Sequence, residues 1–214
     1  MREWKVATID QIKADSPNAL ATGPFGSAIS SKFFTDKGVP VIRGGNLSAA
    51  ISNRLSENGL VFLPESKAKE FKRSEVREGD LIFTCWGTIN QIGLIDGRGA
   101  YPYYIISNKQ MKLTPHPDKA DSFFLYYYFS SPQVQEQIIG NNIGSSVPGF
   151  NLGQLKTMVL NLPPLPEQKA IASVLSSLDD KIGLLHRQNK TLEAIAETFF
   201  RQWFVEGVEE DWGG

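Results

Sequence analysis

The chain is poor in the residues that carry most catalytic chemistry. Its 214 residues include one cysteine, Cys85, and two histidines, His116 and His186. A single cysteine excludes an intramolecular disulfide framework and any zinc site built on clustered thiolates. His116 stands between prolines and His186 lies off the apolar seam described below, so neither belongs to a metal pair or a nucleophile–base–orienter set. No run of eighteen apolar residues occurs, and the opening MREWKVATID has no apolar signal core. There is no GxxxxGK[ST] loop and no glycine fingerprint leading from a strand to a later acidic residue, so nucleotide, dinucleotide and adenosylmethionine binding lack a motif. Asn161-Leu-Pro-Pro is not the Asn-Pro-Pro-aromatic loop of amino-methyltransferases. Glu65-Ser-Lys67 and Asp179-Asp-Lys181 match only the tail of a nuclease carboxylate–lysine motif, and the second has no distant carboxylate partner. No catalytic residue, metal ligand or cofactor is therefore assigned. The expectation is a non-enzymatic, soluble, reduced and cytoplasmic protein with no membrane span.

Net charge is also lacking: 22 basic against 23 acidic side chains excludes a histone-like polybasic protein. The balance hides an asymmetry. Residues 1–156 carry 17 basic and 14 acidic groups, whereas residues 157–214 carry 5 and 9. The basic excess concentrates in 32–77, at Lys32, Lys37, Arg43, Arg54, Lys67, Lys69, Lys72, Arg73 and Arg77. Gathered on one face these would attract a polyanion; scattered, they are an ordinary solvated surface.

What is present changes texture at NLPPLPEQ (161–168). Before it, short β-branched and aromatic runs alternate with glycine-rich turns: VPVIR (39–43), DLIFT (80–84), QIGLI (91–95), YYIIS (103–107) and KQMKL (109–113). Helices are expected over Pro64–Phe71, from an Asp121 cap to Ser130, and from Ser131-Pro132 to about Gly140. Asn151 caps a further turn, after which KTMVLNL (156–162) reads as a last strand. Residues 1–160 thus predict one mixed α/β domain, with 161–166 a proline-rich linker and 206–214 a short acidic tail.

Residues 167–205 predict one long helix. From Glu167 to Phe204 there is no proline and one glycine, Gly183, which gives a rod about 57 Å long. Ile171, Leu175, Leu178, Ile182, Leu185, Asn189, Leu192, Ala196, Phe199 and Trp203 recur at alternating spacings of four and three, a heptad seam apolar at every position but Asn189. A buried amide there would penalise registers that leave it unpaired; the alternative is an exposed kink. A stripe of this length cannot all be covered by a 160-residue head, so a second helix is expected, from another copy or another protein.

Three glycine-rich segments, GPFGSAISSKFF (23–34), CWGTINQIGLI (85–95) and IGSSVPGFNLGQLK (143–156), suit turns that present main-chain amides. The first of these, followed by GVPVIRGGNL and EGDLIFTCWGTI, resembles the order found in type I restriction–modification specificity subunits. The run from FNLGQLK through LPPLPEQ, LDDKI and QNKTLE to RQWF resembles their conserved spacer. Together the likeness covers Trp4 to Phe204. Asn90 departs from the family's Gly-Thr-Ile-Gly turn.

The resemblance implies a DNA-reading subunit that performs no chemistry. It directs methyltransferase subunits, which bind adenosylmethionine and methylate adenine, and with a restriction subunit added the complex cleaves DNA. Such subunits have two recognition domains, each followed by a long helix, and the helices pack as an antiparallel coiled coil. One domain and one helix correspond to half of that plan, and Glu209-Glu-Asp-Trp212 echoes Arg2-Glu-Trp4. Two copies joined through the helix would then read a palindromic, bipartite target in double-stranded DNA. Phosphate contacts are assigned to Lys32, Lys67, Lys69, Lys72 and Arg73, and base-edge contacts to Arg43, Asn46, Asn90, Gln91 and Asn108. Gln168, Gln188 and Arg201, off the seam, are candidates for docking the methyltransferase. The competing reading is a coiled-coil interaction module whose head does not bind DNA.

Overall fold

The computed structural model describes residues 3–48, 50–143 and 147–206. In chain order the elements are β1 (Lys5–Thr8), α1 (Ile9–Ile12), β2 (Leu20–Thr22), β3 (Val39–Ile42), β4 (Val61–Leu63), α2 (Glu65–Lys69), β5 (Glu75–Val76), β6 (Leu81–Thr84), β7 (Ile92–Leu94), β8 (Tyr104–Ile106), β9 (Gln110–Leu113), α3 (Ser122–Ser130), α4 (Pro132–Gly140), α5 (Leu152–Thr157), β10 (Val159–Leu162) and α6 (Leu165–Phe204). Short 3₁₀ turns lie between several of them. The chain divides into two compact units, one ending at Leu175 and one starting at Ser176. The acidic tail from residue 207, Arg2 of the terminal echo, and Gly144 of the third glycine-rich segment lie outside the described residues.

The first unit is a mixed α/β head. One sheet has the order β2-β9-β6-β7 and is antiparallel throughout; a second has the order β4-β3-β8-β5, with β3 and β8 parallel. All five apolar runs form strands. The β6 run explains why they read as continuous apolar stretches. Leu81 and Phe83 enter the cluster under α3, where Phe83 meets Phe129 edge-on at 4.9 Å, while Ile82 packs with Ile42, Tyr104 and Ile106 of the other sheet. With both faces buried, alternation has no polar side to show. Between the sheets, the buried Lys112 ammonium donates to the Glu75 carbonyl at 2.6 Å and lies 3.5 Å from Asp80.

Side-chain caps place two helix starts. Asp121 accepts from the Phe124 N–H at 2.8 Å, and Asn151 forms a reciprocal box with Gln154. Ser131 is the N-cap of α4 with Pro132 following it, as expected, but its hydroxyl donates back to the Tyr128 carbonyl and closes α3. The last-strand expectation is shortened: α5 runs through Thr157, and the Met158 N–H is held by the Gln154 and Leu155 carbonyls. β10 then pairs with β1, a partnership the sequence did not indicate. Only Pro163 and Pro164 separate β10 from α6.

The first turns of α6 belong to the head. Ala172 is buried in its main cluster and Ile171 packs against it. In the second unit the seam is exposed: Leu178, Ile182, Leu185, Leu192, Phe199 and Trp203 all lie between 43% and 64% exposed. Phe199 stacks on Trp203 at 5.2 Å and Phe200 lies against Phe204 at 5.3 Å, so the end of the rod is an aromatic patch. Among the described residues no helix is long and apolar enough to cross a membrane.

Cys85 follows β6 and is buried, and desolvation pushes its thiol up from 9.0 to about 11. The native thiol should resist iodoacetamide at pH 8.5 and react on unfolding; rapid reaction of the folded chain would contradict its burial. The folded chain holds this proton more tightly than the unfolded one, so stability falls as pH rises from about 9 to about 11, by up to about 1.4 kcal/mol per pH unit. Comparing denaturant unfolding of the parent chain and Cys85→Ala across that window isolates the contribution.

Candidate nucleic-acid interface

Strand register collects distant residues at one end of the head. Thr84, closing β6, lies opposite Gln110 at the start of β9, and its N–H donates to the Gln91 carbonyl at 3.1 Å. In the other sheet Ile42 aligns with Ile106, and the Ser107 N–H donates to the Ile42 carbonyl at 2.9 Å, which sets Arg43 beside the turn 107–110. The result is a cleft of about 550 Å³ whose polar walls include Arg43, Thr84, Gln91, Asn108, Lys109 and Gln110. The turn sits tightly against Gly23: its N–H donates to the Gln110 carbonyl at 2.9 Å, and a Cβ there would overlap the Ser107 carbonyl. At the rim Trp86 is 44% exposed, and its indole rests on Gly149, where a Cβ would stand 2.5 Å from Cζ3.

Two buried polar atoms in this cleft have no partner, the Thr84 hydroxyl and the Gln110 Nε2. Gln110 is 0% and Thr84 2% exposed. The other amide atom of Gln110 is occupied, accepting from the Ser107 hydroxyl. A buried amide left half-bonded is costly in an isolated core and useful where a ligand supplies the missing partner.

Arg43, Gln91 and Asn108 are thus brought together, though Arg43 also donates to the Gly59 carbonyl at 2.9 Å and Asn108 stands 3.5 Å from the Gly26 carbonyl. Asn90 is separate, lining a smaller recess with Ile51, Tyr126 and Gln135. Asn46 is corrected outright. It is buried and spends its amide within the fold, accepting from the Arg43 N–H and donating to the Ser56 and Asn58 carbonyls, so it cannot read a base. Arg54, counted in the basic excess, is likewise buried, held by Asp96 at 3.2 Å and the Tyr127 hydroxyl at 2.9 Å.

Lys32, Lys69, Lys72 and Arg73 are exposed cations. Lys67 is part-buried over the Phe33 and Phe71 rings, at 4.4 and 5.2 Å, and pairs with Glu70 at 2.6 Å. Those contacts tie the segment of Lys32 to α2. Ile29 packs in one cluster with Ala68 and Phe71, with Phe34 against it, and both Ile29 and Phe34 line the cleft. The apolar cluster that carries α2 thus reaches the cleft wall through Ile29 and Phe34.

On the helix, two expectations change. Gln168 is buried, accepting from the Asp121 N–H and donating to the Lys119 and Pro163 carbonyls, so it clamps α6 to the head and cannot dock a partner. Ile171 serves the head's own core, not a free seam. Gln188 and Arg201 are exposed. Thr84, Trp86, Lys109 and Gln110 escaped sequence reasoning. Only their places at or just beyond the ends of short strands, next to glycine-rich turns, could have drawn notice to them.

The head thus carries a polar cleft at the ends of two sheets, with Arg43 and Lys109 in its walls, on a chain that continues as a long helix. Among the described residues no group of His, Cys, Asp or Glu is placed to hold a metal ion. A family model described as the type I restriction modification DNA specificity domain matches residues 25–194, and the chain belongs to that family. The type I restriction enzyme MjaIX specificity subunit of Methanocaldococcus jannaschii is 36% identical over 169 residues, covering 76% of this chain and 38% of that protein. The HindI specificity subunit of Haemophilus influenzae is 26% identical over 143 residues, 63% of this chain and 29% of its own. The fold is shared with the S subunit of a type I restriction-modification system from M. genitalium, at a TM-score of 0.63 and 16% identity, over 96% of this chain and 46% of that one. The chain spans less than half the length of the curated relatives it matches.

Proposed function

We propose that this chain reads one half-site of a bipartite sequence in cytoplasmic double-stranded DNA for the methyltransferase subunits of a type I restriction–modification system, and performs no catalytic step itself. The head supplies recognition. Lys32, Lys67, Lys69, Lys72 and Arg73 take phosphates, and the cleft residues Arg43, Gln91 and Asn108 take base edges. Asn90, exposed outside the cleft, serves as an outlying contact. The adenine methyltransferase, and a restriction subunit where one is present, dock on the helix surface that includes Gln188 and Arg201.

Two copies pair antiparallel through α6, which sets the distance between half-sites. The exposed apolar seam from Leu178 to Trp203 is the observation that carries this pairing. Leu175 extends the seam toward the head, Ala196 allows close approach, and Asn189 opposite a polar partner selects the register. Identical heads related by two-fold symmetry meet inverted half-sites, so the target is palindromic. Sequencing the methylome of cells that express this chain with its methyltransferase tests the proposal. Methylated adenines should fall in an inverted repeat with a fixed gap. An asymmetric target from a single species of chain would overturn the pairing, and no sequence-dependent methylation would overturn the reading of DNA.

A further inference from the structure

We infer that the cleft between the sheet ends is the reader of one A·T pair, with Gln110 and Gln91 taking the major-groove edge of its adenine. The inference rests on the DNA-reading function proposed above and names the site and the base. Gly44 carries no side chain, and the point where its Cβ would stand is in ordinary contact with both glutamines, 3.9 Å from Gln110 Nε2 and 4.0 Å from Gln91 Oε1. One amide donor at the start of β9 and one amide acceptor just before β7 therefore flank the same point.

Adenine is the base that presents an adjacent acceptor and donor in the major groove, N7 and the N6 amino group. Guanine presents two acceptors there, thymine one acceptor beside a methyl group, and cytosine one donor. Nε2 of Gln110 donating to N7 and Oε1 of Gln91 accepting from N6 satisfies both atoms of adenine at once. The bond to N7 would also remove the unpartnered state of a fully buried amide nitrogen.

The site is built rather than incidental. Ser107 holds the second atom of the Gln110 amide, which fixes the plane of the group and leaves its nitrogen free. The Thr84 hydroxyl, on the strand between the two glutamines, is also buried and unpartnered and can give or accept a further bond. Lys109 in the walls supplies positive charge for a neighbouring phosphate. Trp86, seated on Gly149, is a rigid aromatic wall at the mouth.

Binding of fluorescent duplexes by the chain together with its methyltransferase tests this, using the mapped target and variants in which each A·T pair is exchanged for G·C. Gln110→Ala and Gln91→Ala should each lower discrimination at one and the same A·T position about tenfold and leave the other positions as they are. Gly44→Ala adds a methyl group with no atom nearer than 3.9 Å, so it should keep the parental melting temperature while losing discrimination at that position. This variant carries the test if a glutamine variant fails to fold. Lys72→Ala should weaken all duplexes alike and reduce the salt dependence. Full discrimination in folded Gln91→Ala and Gly44→Ala chains, or losses at two unrelated positions, would overturn the assignment while sequence-specific binding itself survives. Absence of sequence-specific binding by the parent complex would instead remove the DNA-reading function and this inference with it.

Discussion

In the pairing proposed through α6, replacing Leu178 and Leu185 together by lysine should leave single copies in sedimentation equilibrium, with the melting of the head unchanged. Both leucines stand about half exposed on α6, in the unit that begins at Ser176. In a two-fold pair each substitution acts twice, so four leucines leave the interface. Fully burying a leucine contributes about 1.5–3 kcal/mol; with about half of each side chain already covered, the loss of four amounts to about 3–6 kcal/mol before the repulsion of facing ammonium groups is added. The dissociation constant should rise by about two orders of magnitude or more. Because Leu178 and Leu185 lie outside the head's clusters, thermal unfolding of the head should stay where it was. An unchanged mass would remove the coiled-coil pair and the palindrome deduced from it.

The second large effect is steric. Gly23→Ala should destabilise the head by about 3 kcal/mol or more and lower its melting temperature by roughly 6–12 °C. The added Cβ would overlap the Ser107 carbonyl and stand 2.9 Å from the Ile106 carbonyl oxygen, both main-chain groups that no rotamer can move aside. Relief requires β2 to part from the 107–110 turn, which breaks the Gly23–Gln110 hydrogen bond and displaces the Gln110 amide from the cleft. Gly26→Ala is the matched comparison, since Gly26 has φ +58° with nothing within 4 Å. It should cost about 1–2 kcal/mol, the ordinary penalty of a left-handed alanine. Circular dichroism melts of the two variants measure the difference, and a Gly23→Ala melt within 2 °C of the parent would contradict the close approach.

Much of the fold was legible because local chemistry and tertiary environment agree. DLIFT reads as a strand and is one, since Leu81, Ile82 and Phe83 are apolar on both faces and both faces are covered. Asp121 and Asn151 announce helix starts through their own side chains, which bond within three residues and need no distant partner. Pairing of β1 with β10 was not legible. Lys5–Thr8 is four residues with an exposed Val6, and its partner Val159–Leu162 lies at the far end of the head.

The recognition site was legible only in its residue types. Asn46 and Gln91 are both amides beside glycine-rich turns, and sequence pattern assigns them the same role. Burial separates them: Asn46 meets three main-chain groups of its own loop, whereas Gln91 reaches a cleft. Gln168 shows the same ambiguity on the helix. Its position off the seam suggests a surface group, yet the head wraps it with two carbonyls and an N–H.

From the sequence alone came the long helix, the apolar strands, the heptad spacing and the family likeness, because each depends on the order of side chains along a few turns or a single strand. The tertiary structure alone decided which polar groups are spent on the fold and which remain free. That outcome depends on partners brought together by strand register across tens of residues: a hydrogen bond from Ser107 leaves one Gln110 nitrogen unpartnered, and no local pattern encodes it.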